Sequence, residues 1–122
     1  MVVLQSVGCR SVQSADMPGI YDADISWGRS TLQIRSDSTF EQVVRKKDGS
    51  VRIITGTWEL HKQSSSIMST NRIYLQPYIA IADAEAMSGK QFKVGSFEVE
   101  SVGINGIAIR VDEDRGVIYR KR

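Results

Sequence analysis

From Gly19 onward the chain alternates. Leu32 and Ile34 fall on one face of a stretch whose other face carries Thr31, Gln33 and Arg35. That period of two predicts a strand with one side buried. Residues 20–24 predict a shorter strand before it, broken at Ser26-Trp27-Gly28. Residues 39–46 predict the return strand, with Phe40 near its start. It is entered through Asp37-Ser38, residue types whose side chains bond nearby amides in turns. Asp48-Gly49 marks the next hairpin, because such pairs accept the backbone angles of tight turns. Residues 51–60 predict a long strand with Ile54, Gly56, Trp58 and Leu60 on one face. A glycine in mid-strand marks close approach of another segment or a large side chain, here at Gly56.

The second half reads less evenly. Residues 61–71 are polar and serine-rich and predict a loop. Residues 72–76 predict a strand that Pro77 ends or confines to an edge. Residues 78–82 are apolar and fit either strand or loop, and residues 83–87 have helical propensity over a single turn that Gly89 stops. Residues 92–102 predict a strand whose parity slips between Val94 and Phe97, which places a bulge near Gly95. Asn105-Gly106 is a further hairpin signal; Ile107, Ile109 and Val111 then alternate, residues 112–116 turn, and Val117-Ile118-Tyr119 return. The expected fold is therefore all-β: an antiparallel meander of about eight strands with at most one short helix. Closure into a small barrel, or folding into a two-sheet sandwich, would remove its exposed edges.

At 122 residues this is one domain. A net charge of +2 and a pI near 8.8 fall short of a nucleic-acid footprint. The basic residues are scattered apart from Arg45-Lys46-Lys47 and Arg120-Lys121-Arg122, and the latter reads as a solubilising terminus. No apolar run approaches the ~20 residues of a membrane span. Cys9 is the single cysteine and His61 the single histidine, so neither an intrachain disulfide nor a Cys/His zinc site can be built. There is no Walker loop and no Gly-x-Gly-x-x-Gly, and no cofactor is expected.

Several side chains are candidates for chemistry or binding. Asp22 and Asp24 share a strand face, as a paired-carboxylate or cation site would require, and Asp112-Glu113-Asp114 is a second acidic group; both read as solvated. His61 lies in no nucleophile motif and reads as a surface residue. Among the aromatics, Trp58, Phe40 and Phe97 are expected to fill the core. Trp27, Tyr21, Tyr74 and Tyr78 are the candidate contacts for an apolar ligand or a protein partner, with Trp27 the most exposed.

The order Gly19-Ile20-Tyr21, Thr31-Leu32-Gln33-Ile34, Asp37-Ser38-Thr39-Phe40 and Gly56-Thr57-Trp58 resembles the lipocalin-like and related small β-barrel domains of bacterial envelope lipoproteins. The likeness spans roughly residues 19–60, with Ser38 where those domains usually carry glycine, and it implies a β-meander more than a ligand. Residues 1–8 followed by Cys9 also look like the end of a bacterial lipoprotein signal peptide, with Val7 and Gly8 suiting the two positions before the cysteine. These resemblances imply an envelope-associated, non-enzymatic β domain. Its contact with the membrane would be only a lipid on Cys9, residues 1–17 would lie outside the fold as signal remnant and tether, and residues 18–122 would form the domain. The alternative is a cytoplasmic interaction module of immunity or inhibitor type, with an incidental thiol at Cys9.

Overall fold

A computed structural model of the chain describes residues 12–64, 69–81, 90–103, 106–112 and 117–122. Their strands, in chain order, are β1 (Gly19–Ile25), β2 (Gly28–Ile34), β3 (Thr39–Lys46), β4 (Val51–Ser64), β5 (Ser69–Gln76), β6 (Tyr78–Ile79), β7 (Gln91–Phe92), β8 (Gly95–Val102), β9 (Gly106–Asp112) and β10 (Val117–Lys121). All but β6 and β7 form one closed antiparallel barrel. Each barrel strand pairs with the next along the chain, β5 passes over the short β6–β7 pair to reach β8, and β10 closes on β1. The fold is thus a barrel and not a sandwich. The closing seam is short: Tyr21 faces Lys121, Asp22 faces Arg120, and the Arg122 amide donates to the Ile20 carbonyl at 2.8 Å.

The alternation places the core. Tyr21, Ala23 and Ile25 of β1, Ser30, Leu32 and Ile34 of β2, and Phe40, Gln42 and Val44 of β3 point inward and are buried. Ile54, Gly56, Trp58 and Leu60 lie on the inner face of β4, between exposed outer neighbours. A Cβ on Gly56 would overlap the Gln76 carbonyl and crowd the Phe40 ring. The segment that Gly56 admits is therefore the chain's own, turning into the barrel after β5.

Three expectations change. Residues 12–17 are part of the packed structure, so the domain begins no later than Val12: Val12 and Met17 are buried, and Ser14–Asp16 form a turn of 3-10 helix. That turn is fastened from three sides. Tyr21 Oη donates to the Met17 carbonyl (2.6 Å), Asn71 Nδ2 to the Val12 carbonyl (3.0 Å) and Lys121 Nζ to the Asp16 carbonyl (2.8 Å). It caps the barrel end where β1 begins. The serine-rich stretch is largely strand, with β4 running to Ser64 and β5 starting at Ser69, because ladder pairing outweighs the weak strand preference of polar residues. No bulge breaks the β5–β8 ladder at Gly95; Val94 simply precedes the strand, and the register irregularity lies between Val117 and Ile118. The helical turn expected at 83–87, and the turns at 104–105 and 113–116 with Asn105, Glu113 and Asp114, fall outside the described residues, as does Cys9.

Candidate functional site

Among the described residues, the barrel interior holds a segment of its own chain. Several inward positions are small or polar: Ala23, Ser30, Gln42, Gly56 and Gly95. Into that space passes the segment Tyr78, Ile79, Ala80 and Ile81, all buried. The Tyr78 ring packs against Phe97 (centroids 4.6 Å apart) and lies where a side chain on Gly95 would collide with it. The inserted segment has backbone groups that need partners in a dry interior. The Ala80 amide donates to the Lys90 carbonyl (2.8 Å), and Gln42 serves Ile79: its Oε1 accepts from the Ile79 amide and its Nε2 donates to the Ile79 carbonyl, each at 2.9 Å. One side-chain amide thus takes the place of a neighbouring strand.

A small polar network surrounds that contact. Ser30 Oγ and Tyr119 Oη share a hydrogen bond of 2.6 Å, and Gln42 Nε2 also approaches Tyr119 Oη at 3.2 Å. Burial pushes the Tyr119 phenol up to about 12 despite these bonds, which pull the other way. The Tyr78 hydroxyl is buried beside it without reaching hydrogen-bond geometry; burial, then Tyr119, raises its pKa well above the ordinary phenol value. Both phenols stay neutral across the physiological range.

The four aromatic contacts expected from the sequence do not converge. Tyr21 and Tyr78 are core residues, Tyr21 with its hydroxyl engaged on Met17 and its pKa raised by burial and then by Asp16. Trp27 is half-buried against the core, so Phe92, 38% exposed, is the more open aromatic. Tyr74 lies on the outer face of β5, edge-on to His61 with ring centroids 4.9 Å apart. Of the expected core aromatics, Phe40 and Trp58 are buried and Phe97 packs half-buried against them.

A groove of about 620 Å³ opens at the capped end. One wall is the cap, through Ser14, Ala15 and Pro18; the β2–β3 turn adds Ser36 and Ser38, and β4 adds the stretch from Trp58 to His61. The indole Nε1 of Trp58 donates to the Arg35 carbonyl (2.8 Å) and its amide to the Ser38 carbonyl (2.9 Å), which fixes the turn against β4. Ser38 takes φ +71°, a left-handed angle that normally favours glycine. Asp37 accepts from the Thr39 amide, as its turn role predicted. His61 Nε2 lies 3.2 Å from Glu59 Oε2 on the exposed rim, and no serine hydroxyl bonds to it among the described residues. The groove therefore offers an apolar floor and a polar rim, with no assembled nucleophile.

Asp22 and Asp24 do share an outer face, but it is a clasp and not a cleft. Arg122 grips Asp22 with two nitrogens (2.6 and 3.2 Å), Thr31 Oγ1 donates to it at 2.9 Å, and Arg29 bridges Asp22 and Asp24 at 3.7 and 3.5 Å. The Arg122 hydrogen bond, aided by Thr31 and the charges of Arg122 and Arg29, holds the Asp22 carboxyl below its ordinary value against the opposing effect of burial. His61 stands two strands away across β2 and β3, so these three residues are not brought together. Among the described residues no group of three metal-ligating side chains occurs.

Sequence reasoning passed over Gln42 and Ser30. Both were detectable as polar residues at inward parity, Gln42 between Phe40 and Val44 and Ser30 ahead of Leu32 and Ile34. No family model, no curated protein and no solved structure matches the chain.

Proposed function

We propose that this protein is a non-enzymatic binding domain of the cell envelope, and that it takes a protein partner at the capped end of the barrel and not an apolar molecule inside it. The observation that carries this reading is the inserted segment. Ile79 and Ile81 occupy the volume that a carrier barrel would keep for its ligand, and Gln42 holds Ile79 there. Binding is then left to the outside, where the groove beside the cap joins Trp58 and Leu60 to the rim of Ser36, Ser38, Glu59 and His61. Recognition sites commonly combine an apolar floor with a few polar groups in this way. A lipid on Cys9 would sit close to the same end, since the three peptide steps from Cys9 to Val12 span at most about 11 Å. The groove would then face partners at the membrane surface.

The test is site-directed photocrosslinking in the native host. A crosslinking side chain at Ser36 should yield a discrete adduct that Glu59→Lys diminishes, while one at Thr31, on the outer face of β2 outside the groove, should not. Equal labelling from both positions, or an apolar molecule extracted from the natively purified protein, would overturn the reading. Intact mass of the membrane fraction tests the lipid on Cys9 separately.

A further inference from the structure

The basic run Arg45-Lys46-Lys47 takes no part in the core, the cap or the groove. It ends β3, and the chain returns through Asp48-Gly49-Ser50 into β4. All three side chains are exposed. Among the described residues no ion pair engages them. Asp48, the acid of the turn, bonds back to the Ser50 amide and hydroxyl (2.8 and 2.7 Å), with Lys46 near it. Residues 43–53 thus hold four cations and one carboxylate, Arg52 being engaged within the chain. The same hairpin turns aliphatic side chains outward. Val43 lies directly opposite Ile53, and Val51 directly opposite Arg45. Val51 is 45% exposed and Ile53 61%, the most open large apolar side chain described. On the neighbouring strand Arg29 faces Arg45, its own charge shared between Asp22 and Asp24.

We infer that this hairpin docks on an anionic lipid bilayer, with Arg45, Lys46 and Lys47 among the headgroups and Val51 and Ile53 in the layer beneath them. The occupant follows from charge and polarity together. The cations call for an anionic surface, and the open aliphatic groups call for an apolar layer directly behind it; a bilayer supplies both. A polyanion in solution supplies only the first. A protein partner would have to match a standard face of about 800 Å² in shape, whereas a bilayer demands no fixed shape. Each Lys or Arg held near such a surface strengthens partitioning about five-fold, so the three together contribute on the order of 100-fold. Val51 stands seven residues before Trp58, about 23 Å along β4, so the capped-end groove stays open and the inference does not depend on a partner there. Nor does it need a lipid on Cys9; with one, the barrel would be held from both ends and lie along the membrane.

Co-sedimentation of the full, unacylated chain with phosphatidylcholine vesicles, with and without phosphatidylglycerol, tests this. Binding should require phosphatidylglycerol and weaken as salt screens the charges. Replacing Arg45, Lys46 and Lys47 together with alanine should lower the partition coefficient about 100-fold. In a Cys9→Ser background, a spin label on Ile53→Cys should pass from water into the bilayer on binding, whereas one on Glu59→Cys, at the groove rim, should stay in water. No binding to the anionic vesicles, binding that the triple variant retains, or a label at position 53 that stays in water on the bound protein would each overturn the inference. So would inorganic polyphosphate that displaces the protein from vesicles while Ile53→Ser binds them as wild type does, since the cations would then serve any polyanion. Should the triple variant fail to fold, the label at position 53 still decides it.

Discussion

Gln42→Leu isolates the contact that holds the inserted segment. The substitution keeps roughly the same volume, so the packing penalty stays small. It removes both partners of Ile79, leaving one N–H and one C=O unsatisfied in the barrel interior. Each buried orphan costs ~1–3 kcal/mol. Ser30 and Tyr119 retain their mutual bond and add little. The expected loss is about 3–5 kcal/mol, a large share of the ~5–15 kcal/mol that stabilises a domain. Urea unfolding followed by the fluorescence of buried Trp58 reads it: with a slope near ~2 kcal/mol/M the midpoint should fall by about 2 M at unchanged slope. A midpoint within the error of wild type would refute the claim that this amide holds the segment. Gln42→Glu is the companion. It keeps the acceptor for the Ile79 amide and loses the donor to the carbonyl when ionised. Burial raises the folded pKa of such a carboxyl above its unfolded value. The variant should therefore be most stable in acid and lose stability as pH rises through the folded pKa.

Other expectations follow from single contacts. Asp22 has a folded pKa below its unfolded value, so its contribution is complete above about pH 4 and is lost as pH falls through the folded pKa; urea midpoints from pH 7 to pH 2.5 should show Asp22→Asn weaker at neutrality and converging with wild type in acid. Ser38→Gly relieves a left-handed serine and should stabilise by about 0.5–1 kcal/mol in the same assay, a loss counting against that strain. Gly56→Ala forces a methyl onto the Gln76 carbonyl and should cost about 3 kcal/mol, visible as a lower melting temperature. Met17→Ala empties a fully buried site in the cap and should cost about 2–5 kcal/mol; a neutral effect would return residues 12–17 to the status of a tether.

The barrel was legible where one face is wet and the other dry. Leu32 and Ile34, then Ile54 to Leu60, announced their parity, and Gly56 announced a close approach whose source was the chain itself. What the sequence concealed depends on distant partners. The cap has no periodicity of its own and is held by Asn71 and Lys121, far along the chain. The strands through residues 61–64 and 69–71 owe their form to pairing with each other, since their serines and lysine carry no pattern. Tyr21 and Tyr78 read as ligand contacts because amphipathic aromatics suit both rims and cores; only the inward parity of β1 and the inward path of the β5–β8 connection decide between them. The groove joins three segments distant along the chain, which no local motif signals.

The central claim is that the barrel is closed to ligands by its own chain. Hydrogen exchange at the Ile79 amide tests it most directly, because that amide is buried and bonded only to the Gln42 side chain among the described contacts. The account predicts exchange as slow as that of the barrel strands, limited by global unfolding, and accelerated in Gln42→Leu. Exchange near the rate of a free peptide, in an otherwise protected barrel, would mean that the segment leaves the interior and that a ligand cavity opens there.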